Sequence, residues 1–111
     1  MTFEEAEEKA LAFRKDRDWE QFHNPKDLAM SVSIEAAELL EVFQWSGADL
    51  EVARKKDRAV EELADVAIYC IYLAEELGVK LADAVSGKID ANAQKYPADK
   101  ARGNARKYTE L

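Results

Sequence analysis

The chain has 111 residues, 48% hydrophobic and 35% charged, with four glycines and two prolines. That supplies enough apolar material for one hydrophobic core and too little turn chemistry for the hairpins of a sandwich or barrel. A formal charge of −7 argues against a nucleic-acid polymer as partner, because such binding rests on neutralising phosphates with cations.

The charge is unevenly spread. Residues 1–94 hold 11 basic and 21 acidic side chains, whereas residues 95–111 hold five basic and two acidic. A basic tail on an acidic body either neutralises that body or meets an anionic ligand. One cysteine, Cys70, excludes an internal disulfide framework and a cysteine-based zinc cluster. Placed in the apolar run Val66 to Leu73, it reads as a small core residue. Four glutamates in the first eight residues are unlike a signal peptide. No apolar run reaches the roughly 18–20 residues that span a bilayer. The expectation is a soluble, cytoplasmic protein with no membrane partner.

Along the chain, Thr2 with Glu5 three residues on has capping-box spacing. Phe3, Ala6, Ala10 and Phe13 then recur at helical intervals, which predicts a first helix over 2–17. Asn24 and Pro25 suit the cap and first turn of a second helix, reaching Trp45 and ending near Gly47. Asp49 is placed to cap a third helical stretch that breaks near Arg54–Arg58, runs on to Leu77 and closes at Gly78. A fourth helix runs from Leu81 to Tyr96, where Pro97 stops it. Residues 98–111 read as an extended or partly ordered tail.

Four helices joined by short loops predict an all-α fold, an antiparallel four-helix bundle in one domain, with 1–97 as its helical core. The second and third helices are apolar around most of their circumference. Such helices are normally covered on most sides, here by a partner copy as well as by their neighbours. Glu35, Glu38 and Glu41 form one stripe on the second helix, and Glu62 with Asp65 repeats the three-residue spacing on the third. If these helices pack antiparallel, the two acidic pairs face each other. Four carboxylates at close range repel and take up protons unless a cation sits among them. Oxygen ligands without cysteine or paired histidine favour Mg²⁺, with Mn²⁺ as a substitute, over zinc. A ferritin-like di-iron site needs Glu-x-x-His on two helices, and His23 is the only histidine. The alternative is that the glutamates form a solvated stripe on a non-catalytic oligomerisation module.

The ExxE and ExxD pairs, with 23 residues between Glu38 and Glu62, resemble the signature of the MazG-like all-α nucleoside triphosphate pyrophosphohydrolases. Further segments carry the likeness: RDWEQFHNP (Arg17 to Pro25), ELLEVFQW (Glu38 to Trp45), EELADVAIY (Glu61 to Tyr69), KIDANAQKYP (Lys88 to Pro97) and ARGNARKYTEL (Ala101 to Leu111). Together they resemble the dCTP pyrophosphatase branch over about residues 10–111.

The resemblance implies Mg²⁺-dependent hydrolysis of a nucleoside triphosphate between its α and β phosphates. It places the metal and the catalytic carboxylates on Glu35, Glu38, Glu62 and Asp65; Glu38 is the first choice for the group that activates water, with Glu41 and Glu61 behind it. It implies phosphate contacts from Lys88, Asn92, Lys95 and Tyr96, joined by Arg102, Lys107 and Tyr108 of the tail. Read from the residues alone, these are a solvated basic face and a solubilising tail. Trp19, His23 and Trp45 match positions around the base; otherwise the tryptophans are core or interface residues and His23 bonds the turn before Pro25. Phe22 and Phe43 read as core. The resembled enzymes are tetramers built from dimers. Cytidine triphosphates, plain or modified, are the implied substrates, with a dUTP-specific or broad-range enzyme as the alternative.

Overall fold

A computed structural model describes residues 1–111, all of them either helix or connecting turn, without a strand. The backbone forms two compact units, Met1–Gly78 and Val79–Leu111.

In the first unit α1 spans Phe3–Asp16. Its start is fixed by the expected capping box: Thr2 Oγ1 accepts from the Glu5 N–H and the Glu5 carboxylate accepts from the Thr2 N–H, both at 3.1 Å. A 3₁₀ turn, Trp19–Phe22, follows. Asn24 Oδ1 then accepts from the Asp27 N–H at 2.9 Å and Pro25 opens α2, Pro25–Phe43.

This helix stops two residues short of the expected Trp45, which lies in the left-handed region at φ 69° and so cannot continue a right-handed helix. Asp49 does not cap a helix. Its Oδ1 accepts from the Glu51 and Val52 N–H groups and closes a turn. Val52 then takes φ 41°, a strained choice for a β-branched residue; its side chain is only 4% exposed, and that apolar burial offsets the strain. After the 3₁₀ turn Ala53–Lys55 comes α3, Lys56–Glu76, beginning inside the charged cluster as expected. Gly78 ends it at φ 73°, donating to the Glu75 carbonyl at 3.0 Å.

The helices α2 and α3 form the main packed pair. They run antiparallel, since Glu38 adjoins Glu62 at one end while His23, just before α2, stacks on Tyr72 near the other. Leu28 and Val42 are fully buried, with Ile71, Tyr72 and Ala74 behind them. The first helix lies along α3, where the Tyr72 hydroxyl donates to the Ala10 carbonyl at 3.0 Å and Arg14 pairs with Glu76 at 3.0 Å. Met30, Ile34, Leu40, Val60 and Leu63 remain more than half exposed. The apolar circumference of these two helices is therefore not covered within this unit. Phe22 is exposed rather than core, because it sits in the short 3₁₀ turn and has no helix face to pack on; Phe43 is half-buried.

In the second unit α4 spans Leu81–Lys95 and α5 spans Ala98–Ala101, on either side of Pro97. Residues 98–111 are more ordered than an extended tail. They hold α5 and the 3₁₀ turn Tyr108–Glu110, whose Tyr108 ring meets Tyr96 edge-on at 6.0 Å. No helix is long and apolar enough to cross a membrane.

Candidate active site

Glu35 and Glu38 sit one turn apart on α2, Glu62 and Asp65 one turn apart on α3. The antiparallel pairing turns both sets toward each other. One carboxylate oxygen from each of Glu35, Glu62 and Asp65 lies within 4.8 Å of the others. The Glu38 carboxyl touches both Glu35 and Glu62. Oε2 of Glu35 and Oε2 of Glu62 are buried and accept from no donor.

That arrangement is electrostatically unfavourable by itself. The Glu38 carboxyl is pushed above the usual carboxylate range, first by its hydrogen bond to Glu35 and then by repulsion from it. Glu62 is pushed up by desolvation first, then by Glu38 and Asp65, with Arg58 pulling weakly the other way. Without a cation the cluster must retain protons that separated carboxylates would lose. A hard divalent cation fits it: the donors are all oxygen, they converge, and two of them are buried without a partner.

Beside the acids runs an apolar groove of about 490 Å³ between α1 and α3, walled by Phe13, Trp19, Tyr69 and Tyr72, with Asp65 at its edge. Trp19 meets Phe13 edge-on at 5.6 Å. Tyr69, which the sequence reading did not single out, links groove and acids. Burial and then the charges of Glu35, Asp65 and Glu38 raise the pKa of its phenol, so the hydroxyl keeps its proton. The clue lay in EELADVAIY, where Tyr69 follows Asp65 by one helical turn.

His23 stands behind this wall, stacked on Tyr72 at 5.4 Å. The Arg14 guanidinium lies 3.2 Å from its Nδ1. Since arginine only donates, Nδ1 accepts and the proton is on Nε2. Burial, then Arg14, lowers the His23 pKa, in keeping with a neutral ring. Trp45 lies outside the groove and is 91% exposed, so it has no packing role within this chain. In the second unit Lys88, Asn92, Arg102 and Lys107 are exposed. Lys95 Nζ lies 5.0 Å from the centre of the Tyr108 ring, beside Tyr96.

Two antiparallel helices that converge ExxE and ExxD, with Asp65 also lining an aromatic groove, define an all-α enzyme of the acid-cluster type. Residues 30–111 match the MazG-like family, and the chain belongs to that family; it is a hydrolase. It is 43% identical over 116 residues to dCTP pyrophosphatase 1 of Mus musculus, across 99% of this chain and 68% of that protein. The Homo sapiens dCTP pyrophosphatase 1 is 42% identical over 115 residues, with the same coverage. Among solved structures, a pyrophosphatase from Archaeoglobus fulgidus DSM 4304 superposes with a TM-score of 0.76 at 44% identity, covering 85% of this chain and 91% of that one.

Proposed function

We propose that this chain adds water across the α–β phosphoanhydride of dCTP or a related or base-modified cytidine triphosphate, releasing the monophosphate and pyrophosphate. The observation that carries the reading is the pair of buried, donorless oxygens on Glu35 and Glu62 inside an all-oxygen cluster. Glu35, Glu38, Glu62 and Asp65 hold Mg²⁺, or Mn²⁺ in its place. When bound, the ion offsets triphosphate charge and polarises the phosphoryl group.

Glu38 takes the proton of the attacking water. Its carboxyl touches both Glu35 and Glu62, within the cluster that holds the ion. Trp19 stacks on the base within the groove, a contact worth about 1–3 kcal/mol in comparable platforms. Trp45, exposed as it is, is a second base contact, while His23 has only its Nε2–H to offer because Nδ1 is engaged. Stacking does not choose cytosine; that requires hydrogen bonds to the base edge.

Phosphate contacts are assigned to Lys88, Asn92, Lys95, Tyr96, Arg102, Lys107 and Tyr108, in keeping with the cationic composition of the second unit. The exposed apolar residues of α2 and α3 support assembly into a homotetramer, a dimer of dimers. Such an enzyme serves the cytoplasm by clearing unwanted nucleotides from the pool, without a nucleic-acid or membrane partner.

The test is pyrophosphate release over the canonical and several modified triphosphates, with and without Mg²⁺. Cytidine nucleotides should be cleaved only with the ion. Preference for dUTP, or none at all, would move the substrate assignment to a sister enzyme; no release from any triphosphate would leave a non-catalytic helical module.

A further inference from the structure

Arg14 is the buried charge that the site above does not use. It is 3% exposed and does not line the groove. Its guanidinium reaches three elements at once. One amino group pairs with Glu76 of α3 at 3.0 Å and lies 3.2 Å from His23 Nδ1, just before α2. The guanidinium carbon sits 5.2 Å from the centre of the Tyr72 ring. Arg14 and the stacked His23 thus both lie against Tyr72, whose hydroxyl is tied to the Ala10 carbonyl. Its ring in turn meets Tyr69 edge-on at 5.9 Å, and His23 meets Tyr69 at 6.5 Å.

Ala10, Tyr69 and Tyr72 all wall the groove. The Arg14–Glu76 pair and the Tyr72 hydroxyl bond tie α1 to α3, so the spacing of the groove walls depends on them. We infer that Arg14 is a positioning residue for the groove, setting its width and the pose of Tyr69 and Tyr72 through Glu76, His23 and Tyr72. The inference rests on the groove being the base-binding site. A role of this kind acts on binding: a misplaced wall weakens the hold on the base, while of the four acids only Asp65 lines the groove.

The experiment compares the wild-type chain with Arg14→Met, which keeps the apolar stem and removes the charge, and Arg14→Lys, which keeps the charge without the fork. Steady-state hydrolysis of dCTP is measured with saturating Mg²⁺, well below each Tm. Arg14→Met should raise KM about fivefold or more with kcat within about twofold, and Arg14→Lys should recover part of the loss. As a readout independent of activity, His23 is followed by NMR. It faces Arg14, Glu20, Glu76, Tyr69 and Tyr72, and its titration should move up in Arg14→Met as the repulsion from Arg14 is lost.

A lowered Tm with KM unchanged, in a variant that turns over dCTP, would make Arg14 merely structural and overturn the inference. So would a His23 titration that does not move. Absence of turnover in the wild-type chain would instead remove the base-site reading on which the inference rests. If Arg14→Met does not fold, Glu76→Gln takes its place with the same KM shift expected; the His23 titration should then move down, because Glu76 raises it, and an unchanged KM or an unmoved titration overturns the inference.

Discussion

The two ends of α3 treat carboxylates in opposite ways. Near its C-terminus Glu76 meets the buried Arg14, and charge is matched by charge within the chain. About three to four turns earlier, Glu62 and Asp65 meet further carboxylates, with Arg58 pulling only weakly on Glu62, and two buried oxygens are left without a donor. Removing one partner of a buried ion pair is strongly destabilising, because the remaining charge is uncompensated. At the acidic end that uncompensated state is the resting condition. The first end holds the fold together; the second is built for something that arrives from solution.

The largest effect expected from breaking this contrast is on turnover. Glu38→Gln or Asp65→Asn should reduce pyrophosphate release by about a thousandfold or more, since each removes a group that acts on the reacting atoms. Circular dichroism should show the helices intact, and the metal-free protein should melt no lower, because one repelling charge has gone. Activity retained at saturating Mg²⁺ in either variant would refute the assignment of the cluster.

Next in size is stabilisation by ligand. Mg²⁺ with a nucleotide should raise Tm, the added stability being about 2.7 kcal/mol at a ligand concentration a hundred times Kd. An inert helical module would not respond.

The pH dependence separates the two ends by sign. Glu38 and Glu62 have raised pKa values in the folded chain, so the folded state holds more protons than the unfolded one across the range between the two values. Without metal, stability from this end is present below the ordinary carboxylate value near 4.5 and is lost as pH rises through the raised values. His23 is lowered below 6.5, so its contribution is present above that value and is lost as pH falls through the lowered one. Urea midpoints measured across pH, with and without Mg²⁺, should show the carboxylate slope flatten with the ion and the histidine slope persist. A carboxylate slope indifferent to Mg²⁺ would mean that the acids hold no ion.

The smallest effect expected is from Trp45→Ala. With its ring 91% exposed, stability should change little, while KM rises more than kcat falls. A large fall in kcat at constant KM would assign the ring to chemistry and not to binding.

Most of the helices and the candidate ligands were readable from local chemistry. The Thr2–Glu5 box, the Asn24–Pro25 start, the Gly78 stop and the three-residue spacing of the acids each need only a few neighbouring residues. The misses were places where the backbone leaves the helical region without a glycine or proline to announce it. Trp45 and Val52 both adopt positive φ, which ended α2 early and turned Asp49 from a helix cap into the closure of a turn. Arg14 was missed for another reason. Its burial depends on Glu76 and His23, far along the chain, and nothing near it in sequence marks it as different from Lys15 or Arg17.

The amino-acid sequence by itself determined where the helices lie and that each of two carries an acidic pair on one face, because helical periodicity is a local property. Only the tertiary structure decided that those faces meet. The register of α2 on α3, with Leu28 and Val42 fully buried and the Asp49 turn between the two helices, brings oxygens from Glu35, Glu62 and Asp65 within 4.8 Å of one another. Such a register is a sum of non-local contacts, and no spacing within either helix encodes it.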